Sequence, residues 1–161
     1  MKFIIINCFL IKNAKILDVI IKIYHNSLIG ILIFESKINI KNDFVIDFAT
    51  LTGAARVAPG TELPALFTND TNLGKMIIKE GKDQIDPMWE LPLFTPYERF
   101  LENKYNALSS TGTAGTGGAI TAALFLKKFV NVDTNWAHID LMAWNTSGRP
   151  GFPAGGEAMG L

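Results

Sequence analysis

The sequence predicts an α/β fold, a partial layer sandwich in which helices flank a mixed β-sheet. Residues 44–51 form a nearly continuous apolar run, typical of a buried strand in a parallel sheet. Residues 119–130 form an apolar helix, and residues 136–144 alternate well enough to be a second strand. The order of strand, helices and strand is that of an α/β layer sandwich.

Two further helices are predicted between these strands. The first spans residues 71–81, with Asp70 or Thr71 as its N-cap. The second begins where Thr95 and Glu98 form a capping-box pattern, with a proline at the first helical position, and runs to about residue 103. Both predicted helices lie between the two predicted strands in the sequence, which is the order of an α/β layer sandwich.

The composition changes near residue 42 and divides the chain of 161 residues into two parts. Residues 1–42 are rich in Ile, Lys and Asn, and their patterns fit helix and strand about equally, so we assign no structure to them. Residues 43–161 are rich in Gly, Ala, Thr and Pro and carry the clear structural signals.

Charge and hydropathy exclude several classes of function. Fifteen basic residues balance fifteen acidic ones, which predicts no nucleic-acid partner. The single cysteine, Cys8, excludes an intrachain disulfide. The apolar start has no small-residue cleavage site, and residues 28–34 are far shorter than the roughly 20 residues that span a bilayer. We therefore expect a cytoplasmic protein with no membrane partner.

Few side chains suggest chemistry by themselves. The glycine-rich loop 112–118 precedes a helix, but no Lys-Ser or Lys-Thr follows it, which favours close backbone approach over phosphate binding. His138 and Asp140 share one face of a strand, as half of a metal site or as a buried histidine that a neighbouring backbone group satisfies. The second interpretation is favoured. Asp47 lies inside the first strand and needs a partner if it is buried.

Six segments together resemble one enzyme family. They are VIDFATLTGAARV (45–57), LFTND (66–70), WELPL (89–93), GGAITAALFL (117–126), WAHID (136–140) and RPGFPAGGE (149–157). In this order and spacing they resemble the C-terminal catalytic domain of the leucine (cytosol) aminopeptidase family. The resemblance covers residues 43–161 and leaves residues 1–42 as an arm unrelated to the family.

The resemblance implies that peptides lose their N-terminal residue at a pair of divalent ions, Mn or Zn, which activate a water. In the family, two metal-binding acids and a catalytic arginine belong to a signature Asn-Thr-Asp-Ala-Glu-Gly-Arg, shortly before the strand that matches residues 44–51. Residues 1–42 contain only Asp18 and Glu35 as acids and have no arginine. We therefore expect no catalytic residue, no metal ligand and no cofactor in this chain alone.

The substrate side of the family site has counterparts here. In the family, the turn that matches residues 50–53 holds the peptide through backbone groups, so the resemblance implies substrate contacts from Thr50, Leu51 and Gly53. Residues 141–144 match a region that lines the pocket for the N-terminal side chain, which implies Met142 as a pocket residue. Family members form hexamers, so the implied partners are a peptide and a homo- or hetero-hexamer.

Three functional hypotheses stay open, and the first is favoured. The chain is an N-terminally truncated fragment of a metal-dependent leucyl aminopeptidase, inactive alone because the metal-binding signature is missing. Alternatively, it is a working half whose metals are held by another chain or by a different ligand set. As a third alternative, it is a non-catalytic subunit or peptide-binding module that associates with an intact relative. Because the earlier strands of the family sheet are missing, we also expect an unpaired sheet edge and poor solubility.

Overall fold

The structure is a computed structural model that describes residues 3–12, 15–24, 44–102, 108, 109, 112, 113, 115–157 and 159. The strands are β1 (Phe3–Lys12), β2 (Lys15–Tyr24), β3 (Phe44–Ala49), β4 (Ala65–Thr68), β5 (Trp89–Glu90), β6 (Trp136–Asp140), β7 (Trp144–Asn145) and β8 (Gly155–Gly156). The helices are α1 (Thr71–Asp83) and α2 (Gly118–Lys127), with 3₁₀ helices at Ala54–Arg56 and Thr95–Leu101.

Six strands form one mixed sheet in the order β2-β1-β3-β6-β4-β5. β3 and β6 run parallel, as do β4 and β5, whereas the pairs β2–β1, β1–β3 and β6–β4 are antiparallel. β7 and β8 form a separate antiparallel pair. This arrangement confirms the predicted α/β fold with a mixed sheet and flanking helices.

The two α-helices cover opposite faces of the sheet, because successive strand residues point to opposite sides. Ala65 and Phe67 of β4 pack with Ala119 and Ala123 of α2. Leu66, between them in sequence, packs on the other face with Leu73 of α1 and with apolar residues of β6. The core is therefore two apolar layers separated by the sheet.

The predicted helix starts have different outcomes. Asp70 caps α1 as predicted, since its carboxylate accepts hydrogen bonds from the N–H groups of Asn72 at 2.7 Å and Leu73 at 3.2 Å. The capping box at Thr95 is wrong. The helix there is a 3₁₀ helix with Phe94 at the N-cap and no side-chain cap, and Glu98 instead pairs with Lys128 beside α2.

The N-terminal region forms a β-hairpin on the edge of the sheet. β1 pairs along β3, from Ile6 opposite Ala49 to Ile11 opposite Phe44, and β2 pairs with β1. β3 is therefore an inner strand, and the outer strand of the described sheet on this side is β2; the expected poor solubility stays a prediction. Residues 28–34 and residue 103 lie outside the described residues. Within the described part of the chain, no helix is both long and apolar enough to cross a membrane.

Candidate functional site

The candidate site lies where the parallel strands β3 and β6 end side by side. Ala49 and Asp140, the last residues of the two strands, are partners in the ladder. The ladder is extended by one hydrogen bond, from the N–H of Leu141 to the carbonyl of Ala49 at 3.0 Å. Ligands of α/β sheets commonly bind beyond the carboxyl ends of parallel strands. The turn at residues 50–53 begins at this edge.

The carboxylate of Asp140 accepts three hydrogen bonds from that turn. Its Oδ1 atom accepts hydrogen bonds from the backbone N–H groups of Leu51 at 3.0 Å and Thr52 at 3.2 Å. Its Oδ2 atom accepts one from the Thr52 hydroxyl at 2.7 Å. The Asp140 side chain is almost fully buried, at 2% exposure, so these three donors take the place of water around the carboxylate.

Sequence reasoning missed this role for Asp140, which it weighed only as a partner of His138 in a metal site. The usable signal is a carboxylate at the last position of a buried strand, beside a turn that has several N–H groups to satisfy. That signal also requires knowing that β3 and β6 are neighbours, although the bonded residues lie 89 and 88 positions apart in sequence.

The residues expected to contact substrate lie together on this turn. Thr50 and Gly53 are exposed and Leu51 is half-buried, so all three are accessible at the end of β3. The Thr52 hydroxyl that donates to Asp140 also accepts a hydrogen bond from the N–H of Ala55 at 3.1 Å. The turn is thus tied both to β6 and to the 3₁₀ helix that follows it.

Met142 lies close to the same turn through a contact that the sequence did not predict. The guanidinium of Arg56 donates to the thioether sulfur of the half-buried Met142. Arg56 belongs to the 3₁₀ helix immediately after the turn, whereas Met142 follows β6. The predicted pocket residue and the predicted substrate turn are therefore adjacent, with Arg56 between them.

A second buried network lies deeper on the same face of the sheet. His138 is fully buried and its Nδ1 lies 2.5 Å from Oδ1 of Asp47 on β3, its partner in the parallel ladder. Oδ2 of Asp47 accepts from Nε1 of Trp136 at 2.5 Å. Asp47 thus has the partner that its burial requires. Nδ1 of His138 pairs with this carboxylate rather than with the backbone group expected, and its buried Nε2 atom has no hydrogen-bond partner among the described residues.

Both titratable groups of β6 are shifted by their surroundings. Burial lowers the pKa of His138, but the charge and hydrogen bond of Asp47, with the charge of Asp140, outweigh it, so the net pKa lies above the ordinary value. Burial raises the pKa of Asp140 and outweighs the lowering by the Thr52 hydroxyl, the charge of His138 and the N–H groups of Thr52 and Leu51, so the net pKa lies above the ordinary value. The carboxylate of Asp47 therefore favours the protonated form of the His138 imidazole.

The described residues do not fit a pair of metal ions. No group of three or more His, Cys, Asp or Glu side chains among them is placed to hold a metal. The two buried carboxylates are already engaged, Asp47 with His138 and Trp136 and Asp140 with the turn. A divalent ion needs several free oxygen or nitrogen ligands, and among the buried side chains that the structure describes only Nε2 of His138 has no hydrogen-bond partner.

The glycine-rich loop provides close packing. Gly117 has φ 69°, the left-handed region that favours glycine, and a Cβ atom placed on it would lie 2.8 Å from the Tyr97 ring. The loop thus brings backbone against an aromatic ring at the start of α2. This agrees with the predicted role of close backbone approach.

Comparison with known proteins agrees with the resemblance drawn from the sequence. The profile of the cytosol aminopeptidase family, catalytic domain, matches residues 28–161. The matched range includes residues 28–42, which belong to the arm that we predicted to be unrelated to the family. The division of the chain at residue 42 stays a prediction.

Among curated relatives, a probable cytosol aminopeptidase of Phytoplasma mali is 40% identical over 112 residues, which are 70% of this chain and 22% of that protein. A probable cytosol aminopeptidase of Synechococcus is 38% identical over 132 residues, or 81% of this chain and 26% of that protein. The chain therefore spans about a quarter of the length of these relatives.

Solved structures give the same result. The cytosol aminopeptidase of Coxiella burnetii superposes with a TM-score of 0.70 at 49% identity, covering 74% of this chain and 26% of that one. The bottromycin maturation enzyme BotP in complex with Mn gives a TM-score of 0.68 at 35% identity, with the same coverage. The shared fold, identity and family profile together establish that the chain belongs to the cytosol aminopeptidase family and carries part of its catalytic domain.

Proposed function

We propose that this chain holds the peptide in a metal-dependent aminopeptidase site and does not hydrolyse peptides by itself. The observation that carries the proposal is the accessible turn at residues 50–53, fixed by Asp140 at the carboxyl end of the parallel strand pair. Membership of the cytosol aminopeptidase family supports the reaction class, the removal of N-terminal residues from peptides.

The substrate contacts are assigned to two adjacent places. Thr50, Leu51 and Gly53 contact the peptide backbone, as the accessible positions on the fixed turn. Met142 borders the pocket for the N-terminal side chain, and its contact with Arg56 places it beside the turn. The support for this assignment is that residues distant in sequence come together at one edge of the sheet.

The metal ions are proposed to be held elsewhere. The signature that carries metal-binding acids in the family is absent from the sequence, and the described residues contain no cluster of metal ligands. When bound in the family site, the ions supply an activated water; Mn in one related structure supports that choice of metal. The cytoplasm is the proposed location, supported by the names of the relatives, and a hexamer is the proposed assembly.

Peptide binding tests the proposal directly. The ¹H–¹⁵N spectrum of the purified chain is followed during titration with a leucyl dipeptide, in the wild type and in Gly53→Ala. A Cβ at position 53 meets only the flexible Arg56 side chain, at 3.3 Å, so the variant should fold and should bind about tenfold more weakly, since its methyl group occupies contact surface. Gly156→Ala, whose Cβ meets no described atom within 4 Å, is the matched control.

Metal binding and turnover separate the remaining hypotheses. The chain is incubated with Mn²⁺ or Zn²⁺, and bound metal is measured together with hydrolysis of a leucine anilide. We expect neither stoichiometric metal nor turnover; both together would establish a working enzyme half. Failure of dipeptide binding in the chain alone, with co-purification of an intact relative, would favour a non-catalytic subunit.

A further inference from the structure

The conformation of the turn at residues 50–53 depends on one buried group outside it. Both oxygens of the Asp140 carboxylate accept hydrogen bonds from the turn, two from N–H groups and one from the Thr52 hydroxyl. Hydrogen bonds to a charged acceptor are roughly twice as strong as neutral ones. At 2% exposure, water does not compete for the carboxylate.

The same contacts reach beyond the turn. The Thr52 hydroxyl donates to Asp140 and accepts from the N–H of Ala55, so one side chain links the end of β6 to the first residues of the 3₁₀ helix. Arg56, which contacts Met142, lies on that helix. A change at position 140 therefore reaches both sets of predicted substrate contacts through Thr52.

No cation lies within hydrogen-bonding distance of Asp140 among the described residues. His138, two positions earlier on the same face of β6, pairs with Asp47 of β3 instead. The other elements packed on this face contribute apolar residues, Ala65 and Phe67 from β4 and Ala119 and Ala123 from α2. The N–H groups of Leu51 and Thr52 and the Thr52 hydroxyl thus stabilise the charge of Asp140 directly. The same hydrogen bonds fix the conformation of the turn.

From these contacts we infer that Asp140 is a positioning residue, which acts through Thr52 and the N–H of Leu51 to fix the peptide-binding turn. The effect on peptide binding rests on the proposed function; the effect on the turn does not. A purely structural role at the end of β6 would stabilise the whole fold without a local effect at Leu51 and Thr52.

The test compares Asp140→Asn with the wild-type chain. Asparagine keeps the shape and one acceptor oxygen but removes the charge, so amide hydrogen exchange at Leu51 and Thr52 should accelerate by about tenfold, the difference between charge-assisted and neutral hydrogen bonds. The dissociation constant for a leucyl dipeptide should rise by a similar factor. Asp133→Asn, in an exposed turn away from the site, is the matched control and should change neither value.

Thr52 supplies a second, milder pair of variants if Asp140→Asn fails to fold. Thr52→Val removes the hydroxyl and should accelerate exchange at Leu51 and Thr52, whereas Thr52→Ser keeps the hydroxyl and should restore the wild-type rate. Unchanged exchange at both amides in Asp140→Asn and in Thr52→Val would overturn the inference. So would accelerated exchange with an unchanged dipeptide affinity. If the wild type binds no dipeptide while exchange still responds, the proposed function fails and the positioning of the turn stands.

Discussion

Three ionisable side chains on one face of the sheet set the local electrostatics of the site. Asp47, His138 and Asp140 are all nearly or fully buried, yet each carboxylate is satisfied, one by an imidazole and an indole, the other by a turn. Removing one partner of such a buried pair typically costs about 3–5 kcal/mol, because the other charge stays desolvated. The pair Asp47–His138 is therefore a strong constraint on how β3 and β6 pair.

His138 should remain protonated above pH 6.5, the ordinary imidazole value. Because its folded pKa is raised, the pair contributes its full stability below about pH 6.5 and loses it as pH rises through the folded pKa. Imidazole ¹H–¹⁵N shifts measured against pH report this directly, since the sequence has only His25 and His138. In His25→Gln, the remaining signal belongs to His138.

The Asp47→Asn variant supplies the contrast for that titration. Without the carboxylate, burial is the largest remaining influence on His138, so its pKa should fall below the wild-type value and the melting temperature at pH 6 should drop. An imidazole that is already neutral below pH 6.5 in the wild type would contradict the assignment, as would an unchanged titration in Asp47→Asn.

Sequence spacing placed His138 and Asp140 on one face of a strand, but it could not supply their partners. Asp47 lies 91 residues from His138 in sequence, and only the parallel register of β3 and β6 brings them together. The need of Asp47 for a partner could be read from its apolar surroundings. The identity of that partner could not, because strand order is decided by the whole sheet.

At the scale of elements, the helix starts show when a local signal succeeds. Asp70 caps α1 because the N–H groups of Asn72 and Leu73 have no competing partner at that helix start. At Thr95 the pattern is equally good, but Glu98 is engaged with Lys128, and the N–H of Tyr97 bonds the Phe94 carbonyl in a tighter turn. A tertiary ion pair thus replaced the local cap.

Gly117→Ala should destabilise the start of α2. The left-handed conformation costs roughly 1–2 kcal/mol for a residue with a Cβ, and the new methyl group would also press on the Tyr97 ring at 2.8 Å. We expect a loss of at least about 1 kcal/mol in the free energy of unfolding, measured by urea denaturation. Gly115→Ala is the matched control, with no described atom within 4 Å of its Cβ, and equal losses in the two variants would contradict this account.

At the scale of the molecule, the sheet contains two N-terminal strands, β1 and β2, that the sequence did not predict. The sequence predicted the class of the fold and its central strand, since residues 44–51 carry an unambiguous apolar run. It could not predict strands in residues 1–42, because their Ile-rich patterns fit helix and strand equally. Pairing with β3 favours the extended form, since strand formation there depends on a neighbouring edge rather than on local pattern.

Amide exchange tests the role of the hairpin. In the intact chain, residues 44–49 lie between β1 and β6 and should exchange slowly. A variant that starts at residue 25 lacks β1 and β2, so exchange in residues 44–49 should accelerate and light scattering should reveal aggregation at the exposed edge. Residues 136–140, held between β3 and β4, are the internal control, and unchanged exchange in residues 44–49 would contradict the pairing.

The way Asp140 holds its turn also decides the polarity of the accessible surface. In a trans peptide unit the N–H and the preceding carbonyl point in opposite directions, and the structure contains no cis peptide among its described residues. Because the N–H groups of Leu51 and Thr52 point inward to Asp140, the carbonyl oxygens of Thr50 and Leu51 point outward. The side of the turn that faces away from Asp140 therefore presents two hydrogen-bond acceptors.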